Sequence, residues 1–89
     1  MRIGIAGVGG IGSNVAFHLV RTGVTELKFG DFDKIEESNL NRQFFFKDQV
    51  GKYKAEALYE NLKRINPDGD FQYEIIKFER ENIREFFKD

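Results

Sequence analysis

An α/β fold, half of a doubly wound and mainly parallel sheet, is predicted by three features of this 89-residue chain. Strand and helix signals alternate in the order strand, helix, strand, helix, strand, helix, which implies parallel strands joined by right-handed crossovers. The glycine run "GVGGIG", residues 7 to 12, lies where the first strand gives way to the first helix. Strand polarity also rises from the first to the third, as it should when the spatial order is three, two, one and the first strand is central.

The elements follow in order. "MRIGIAG" is a short apolar run ending in glycine, suited to a strand buried on both faces. From Gly10 the period becomes helical, with Ile11, Val15, His18, Leu19 and Thr22 expected on one side and Gly23 as C-terminal cap. "TELKFGDF" puts Leu27 and Phe29 on one face of a strand and Lys28 on a wetter one. After an irregular polar segment, a second helix is expected from about Lys52 to Asn66, with Ala55, Leu58, Leu62 and Ile65 as its apolar stripe. "NPDG" is a turn, and "FQYEIIKF" alternates like a strand at a sheet edge. "ENIREFFKD" opens a third helix whose apolar contacts would be Ile83, Phe86 and Phe87.

Composition narrows the functional classes. A 40% hydrophobic, 33% charged chain is an ordinary globular domain of small size. The net charge of −1, without a basic stripe, argues against nucleic acid as a partner. There is no cysteine, so disulfides, thiolate metal sites and thioester chemistry within the chain are excluded. Five of the first twelve residues are glycine and Ser13 and Asn14 follow, a poor signal peptide and too short a run to span a bilayer. The cytoplasm is the expected compartment, with no membrane partner. A central first strand leaves an apolar edge to be covered. The chain is therefore expected to be the N-terminal part, residues 1–89, of a longer nucleotide-binding domain.

The glycine run fits G-x-G-x-x-G at Gly7, Gly9 and Gly12. Gly7 would form the tight turn, Gly9 would let backbone approach a phosphate, and Gly12 would let helix and strand pack closely. Amides at the helix N-terminus attract an anion. Asp31, about 20 residues after Gly12 at the end of the second strand, can accept hydrogen bonds from a ribose. This Rossmann-like constellation predicts nucleotide binding and leaves NAD, FAD and ATP open.

"SNLNRQ", residues 38 to 43, carries more donors than a ribose needs. Ser38 is a candidate N-cap for one helical turn, on which Asn39 and Arg42 would share a face. Arginine offers a planar fork matched to phosphate oxygens. "GKYKAE" then places Lys52 and Lys54 near the start of the second helix, where a cation opposes the helix dipole by about 0.3–1 kcal/mol unless an anion binds. Lys54 is assigned to phosphate and Lys52 to solvent. Asp33, Glu36 and Glu37 are solvated loop acids rather than a metal site, and His18 is packing or surface. Phe44, Phe45 and Phe46 anchor the segment beneath the nucleotide loop.

In this order and spacing, "GVGGIGS", "DFD", "SNLNRQ" and "GKYKAE" resemble the ThiF/MoeB family, bacterial relatives of the ubiquitin-activating enzymes. The resemblance runs from Ile3 to about Pro67. It is most like small ThiF-type sulfur carrier protein adenylyltransferases of thiamine biosynthesis, given the short start and absent cysteines. It implies an enzyme that uses Mg2+ and ATP to adenylate the C-terminal glycine of a ubiquitin-like, ThiS-like sulfur carrier, working as a homodimer. By motif, Gly7, Gly9, Gly10 and Gly12 line the nucleotide loop and Asp31 takes the ribose. Ser38, Asn39, Leu40, Asn41, Arg42, Gln43 and Lys54 complete the site, with Arg42 and Lys54 neutralising charge in the transition state and Gln43 fixing Arg42. The family's magnesium aspartate would fall beyond Asp89, and its partner-donated arginine, zinc cysteines and sulfur-transfer cysteine have no counterpart. The 89 residues alone are thus expected to show no measurable carrier-dependent ATP–pyrophosphate exchange. Two other readings are a non-catalytic nucleotide-sensing module and an NAD-binding dehydrogenase cofactor domain.

Overall fold

A computed structural model describes residues 2–88. Three parallel strands, β1 (Ile3–Ala6), β2 (Glu26–Asp31) and β3 (Asp70–Ile75), form one sheet in the order β1-β2-β3. Helices α1 (Gly10–Arg21), α2 (Lys54–Ile65) and α3 (Arg80–Phe86) follow them in turn. The register aligns Ile5 with Phe29 and Phe29 with Tyr73. Because side chains alternate across a strand, one face then carries Ile3, Ile5, Leu27, Phe29 and Phe71. Helices α1 and α2 cover that face, where Ala16, Val20, Ala55, Leu58 and Leu62 join Leu27 and Phe29 in the core. No helix among the described residues is long and apolar enough to cross a membrane.

The buried side of α1 differs from the expected one. Ser13, Ala16 and Val20 face the sheet, whereas Ile11 is 84% exposed and Val15 is exposed as well. Gly12 is the cause: a Cβ there would stand 2.0 Å from the Gly7 carbonyl oxygen. So close an approach at the start of α1 admits only small side chains such as Ser13 and Ala16 toward the sheet. Ile11 and Val15 turn outward, while farther along Val20 and, as expected, Leu19 pack inward. The C-terminus behaves as expected, with Gly23 at φ +111 and a double closure by Gly23 N–H to Val20 O and Val24 N–H to Leu19 O.

The stripe of α2 is as expected for Ala55, Leu58 and Leu62, with Ile65 packed at its edge. On the reverse face, Gly4 and Ala6 of β1 are exposed, so β1 is not buried on both sides. Among the described residues, α3 and the segments flanking it cover part of that face. Phe86 and Phe78 press against Gly30, and the Phe87 ring lies over Gly4. Of the three apolar contacts expected of α3, only Phe86 is buried, because this short helix meets the sheet through its C-terminal end.

Candidate functional site

The three strands end together, and the glycine turn and Asp31 meet at that end. Gly7 leaves β1 at φ +90, a region open to glycine, and donates its N–H to Gly30 O at 2.8 Å. Gly9 then caps α1 without any side-chain hydrogen bond, and no acid stands in the first turn. The first helical amides are therefore left pointing out of the loop. Gly10 has open space around its Cα, and a Cβ on Gly9 would meet only Gln43 Nε2 at 3.9 Å.

Asp31 ties β2 to this loop. Its Oδ2 accepts the Val8 N–H at 2.7 Å, and its Oδ1 accepts those of Phe32 at 2.7 Å and Asp33 at 2.8 Å. A carboxylate offers about four acceptor positions, so one remains for a further donor. Asp33 passes the connection on, its carbonyl accepting the Lys54 N–H at 2.8 Å. The start of α2 is thereby fixed beside the carboxyl end of β2.

The segment 36–43 is anchored from the opposite flank. A 3-10 turn spans Glu37–Asn39. Ser38 is not its N-cap, contrary to expectation. Glu36 holds that place, and the Asn39 side chain folds back so that Oδ1 accepts the Glu36 N–H at 2.8 Å. Asn39 is consequently buried while Arg42 is exposed, and the two do not present a common face. The Arg42 guanidinium donates to Ser38 O at 3.1 Å and to Asn41 Oδ1 at 3.4 Å. Leu40 packs against the core. Gln43 does not hold the Arg42 side chain; it is 8% exposed, lies next to Gly9, and its Oε1 is buried without a partner.

Two further bonds join this segment to α1. Ser13 Oγ accepts the Phe44 N–H at 3.1 Å, and Asn14 Nδ2 donates to Arg42 O at 2.8 Å. Phe45 enters the core and Phe44 stacks on Phe17 at 4.3 Å, so these rings anchor the segment as expected, while Phe46 is exposed. The Arg42 backbone is thus tied to α1 through Asn14, and the Lys54 backbone to the end of β2 through Asp33.

The two lysines of "GKYKAE" separate sharply. Lys52 is exposed and paired with Glu60 at 3.0 Å, a bond that raises its pKa. Lys54 is 8% exposed, and its ammonium makes no ion pair or hydrogen bond among the described residues. The burial is that of its alkyl stem, while the ammonium at its tip keeps contact with solvent. An anion bound there would supply the missing partner.

Sequence reasoning overlooked Asn14 and the residues after β3. Gly7, Asp31, Phe32, Asp33, Ile76, Lys77 and Phe78 line a shallow cavity of about 210 Å3 at the strand ends. The signal was available, since ligands of open parallel sheets bind beyond the carboxyl ends of the strands, and residues 76–78 leave β3 there.

Comparison with known proteins agrees with this geometry. A family model described as "ThiF family" matches residues 1–89. Ubiquitin-like modifier-activating enzyme 5 of Culex quinquefasciatus is 48% identical over 66 residues, covering 74% of this chain and 17% of the relative. That of Xenopus laevis is 44% identical over 70 residues, covering 79% and 18%. Among solved structures, E. coli tRNA N6-threonylcarbamoyladenosine dehydratase, TcdA, in complex with ATP superposes with a TM-score of 0.93 at 32% identity, over 98% of this chain and 36% of that one. E. coli MccB with ATP gives a TM-score of 0.87 at 31% identity, over 94% and 25%. The chain spans under a fifth of the length of these curated relatives.

Proposed function

The chain belongs to the ThiF family, and we propose that it forms the N-terminal nucleotide-binding part of an enzyme that adenylates a carboxylate with ATP. One observation carries this reading: an uncapped helix N-terminus at the glycine turn, to which the Arg42 segment is tied through Asn14 and the start of α2, with Lys54, through Asp31 and Asp33. A dinucleotide's pyrophosphate needs the helix amides and little more. Donors arriving from α2 and from the 36–43 segment match the larger charge of a triphosphate. The ATP complexes of TcdA and MccB support the same choice.

In the reaction, an oxygen of the substrate carboxylate bonds to the α-phosphorus. The bond to the bridging oxygen breaks, and pyrophosphate leaves with that electron pair. The chain's part is positioning and electrostatics. The α1 amides and Gly7–Gly12 turn cradle phosphate, Asp31 orients the ribose, Arg42 and Lys54 neutralise charge that moves onto the leaving group, and Asn39 fixes the turn that carries Arg42. Gly10, Ser38, Leu40, Asn41 and Gln43 shape the walls around them. Magnesium, implied by the family resemblance, finds no converging set of three acidic or histidine side chains among the described residues, and no step above passes through it.

The acceptor proposed is the C-terminal glycine of a ubiquitin-like protein, which the 44–48% identity to ubiquitin-like modifier-activating enzyme 5 supports. The finer assignment, a ThiS-like sulfur carrier of thiamine or related biosynthesis acting on a cytoplasmic homodimer, rests on the sequence resemblance. Thermal melting tests the core of the proposal. ATP raises the melting temperature of the full-length protein, NAD does not, and Arg42→Ala abolishes the ATP effect. Equal stabilisation by NAD would instead favour a dinucleotide module.

A further inference from the structure

We infer that Asn14 is a positioning residue for the triphosphate, setting where Arg42 stands relative to the glycine turn; the inference rests on the adenylation reading above. Asn14 lies one turn into α1, with its side chain leaning back toward the helix N-terminus as helical side chains do. Its amide nitrogen donates to Gly10 O at 2.7 Å and to Arg42 O at 2.8 Å. Both neighbours are carbonyl oxygens, so the nitrogen and not the oxygen must face them. Both amide hydrogens are thereby used, and one side chain clamps two loops that are 28 residues apart in sequence.

The clamp acts on the residue that matters. The Arg42 guanidinium is exposed and braced only locally, by Ser38 O and Asn41 Oδ1. Its backbone has an N–H bond to Asn39 O inside its own turn. The link from the Arg42 backbone to the helix that would receive the phosphate is Asn14. Ser13 Oγ makes a parallel link at Phe44, which holds the segment near α1 but two residues past the arginine. Removing Asn14 therefore leaves the fold tied down while freeing the Arg42 fork to shift.

Position 14 can be altered without emptying the core, because its side chain is only half-buried. Asn14→Asp keeps the shape and replaces the double donor by an acceptor facing two carbonyls. Binding of ATP and of AMP to the full-length protein and its variants, followed by calorimetry, tests the role. Two lost hydrogen bonds predict about a tenfold weaker ATP affinity for Asn14→Asp and Asn14→Ala. AMP, which lacks the phosphates assigned to Arg42, should bind within about twofold of wild type on the same scale. Asn14→Gln, which restores a donor, should recover part of the ATP affinity. Equal weakening of both nucleotides, or of neither, overturns the positioning role while leaving the adenylation reading intact. Failure of the wild-type protein to bind either nucleotide removes the adenylation reading and this inference together.

Discussion

Two 3-10 turns follow β2 in close succession, and they treat their polar side chains in opposite ways. Around the second, Lys47–Gln49, nearly everything is paired. Gln49 and Asn61 exchange amide hydrogen bonds at 2.7 and 3.1 Å, Gln49 Oε1 also accepts the Phe46 N–H, and Asn61 Nδ2 reaches Phe44 O. Around the first, Glu37–Asn39, an acceptor is left over, since Gln43 Oε1 is buried and unpartnered; at the start of α2 the Lys54 ammonium likewise makes no ion pair among the described residues. The paired network stabilises the chain by itself, since a satisfied buried amide adds rigidity and an orphaned one costs free energy. An anion suits the Lys54 ammonium, whereas the Gln43 Oε1 acceptor calls for a donor, such as a ligand hydroxyl or amino group. Saturation of hydrogen bonds thus separates structural polar residues from those reserved for a ligand, where residue type alone does not.

Truncating the paired network should have the largest effect on stability. Asn61→Ala removes the partner of the Phe44 carbonyl and leaves the Gln49 amide nitrogen only its longer bonds to Ala57 O and Glu60 Oε1, for a loss of about 2 kcal/mol in urea unfolding. A loss under about 1 kcal/mol would mean the network is dispensable and the contrast false. At the start of α2 the sign should reverse. Lys54→Met removes a charge opposing the α2 dipole, so ligand-free stability should rise by up to about 1 kcal/mol while ATP protection disappears. A Lys54→Met protein that melts lower without ligand would show that Lys54 supports the fold.

The smallest change is expected at Lys52, whose exposed pair with Glu60 is screened by solvent. Its pKa is raised, first by the Glu60 hydrogen bond. A raised lysine contributes stability at neutral pH and loses it only as pH climbs through the folded-state value. Wild type and Lys52→Met should therefore differ slightly near neutrality and converge in strongly alkaline buffer. A difference that widens there would assign the effect to another group.

Much of this was legible from residues alone, and the failures share a cause. Element order, strand order, the Gly23 cap and the α2 stripe are local or periodic properties, and each is present in the structure. The α1 face was misjudged because hydrophobicity ranked Ile11 above Ser13, whereas the Gly12–Gly7 approach leaves space for the smaller residue. Ser38 was preferred as a cap by type, yet Asn39 provides the acceptor that closes the turn on Glu36. Gln43 was paired with its sequence neighbour, but its amide lies at Gly9.

The amino-acid sequence by itself determined that three parallel strands would bring a glycine turn, an acid and a cluster of donors to one end of a sheet. Spacing and periodicity act over a few residues and need no partner to be read. Only the tertiary structure decided which donors are already spent within the chain and which remain free. That Asn14 bridges to Arg42, and that the backbone of Lys54 is held by Asp33, depends on elements many residues apart. Hydrogen-bond capacity is written in residue identity, but its allocation is set by packing.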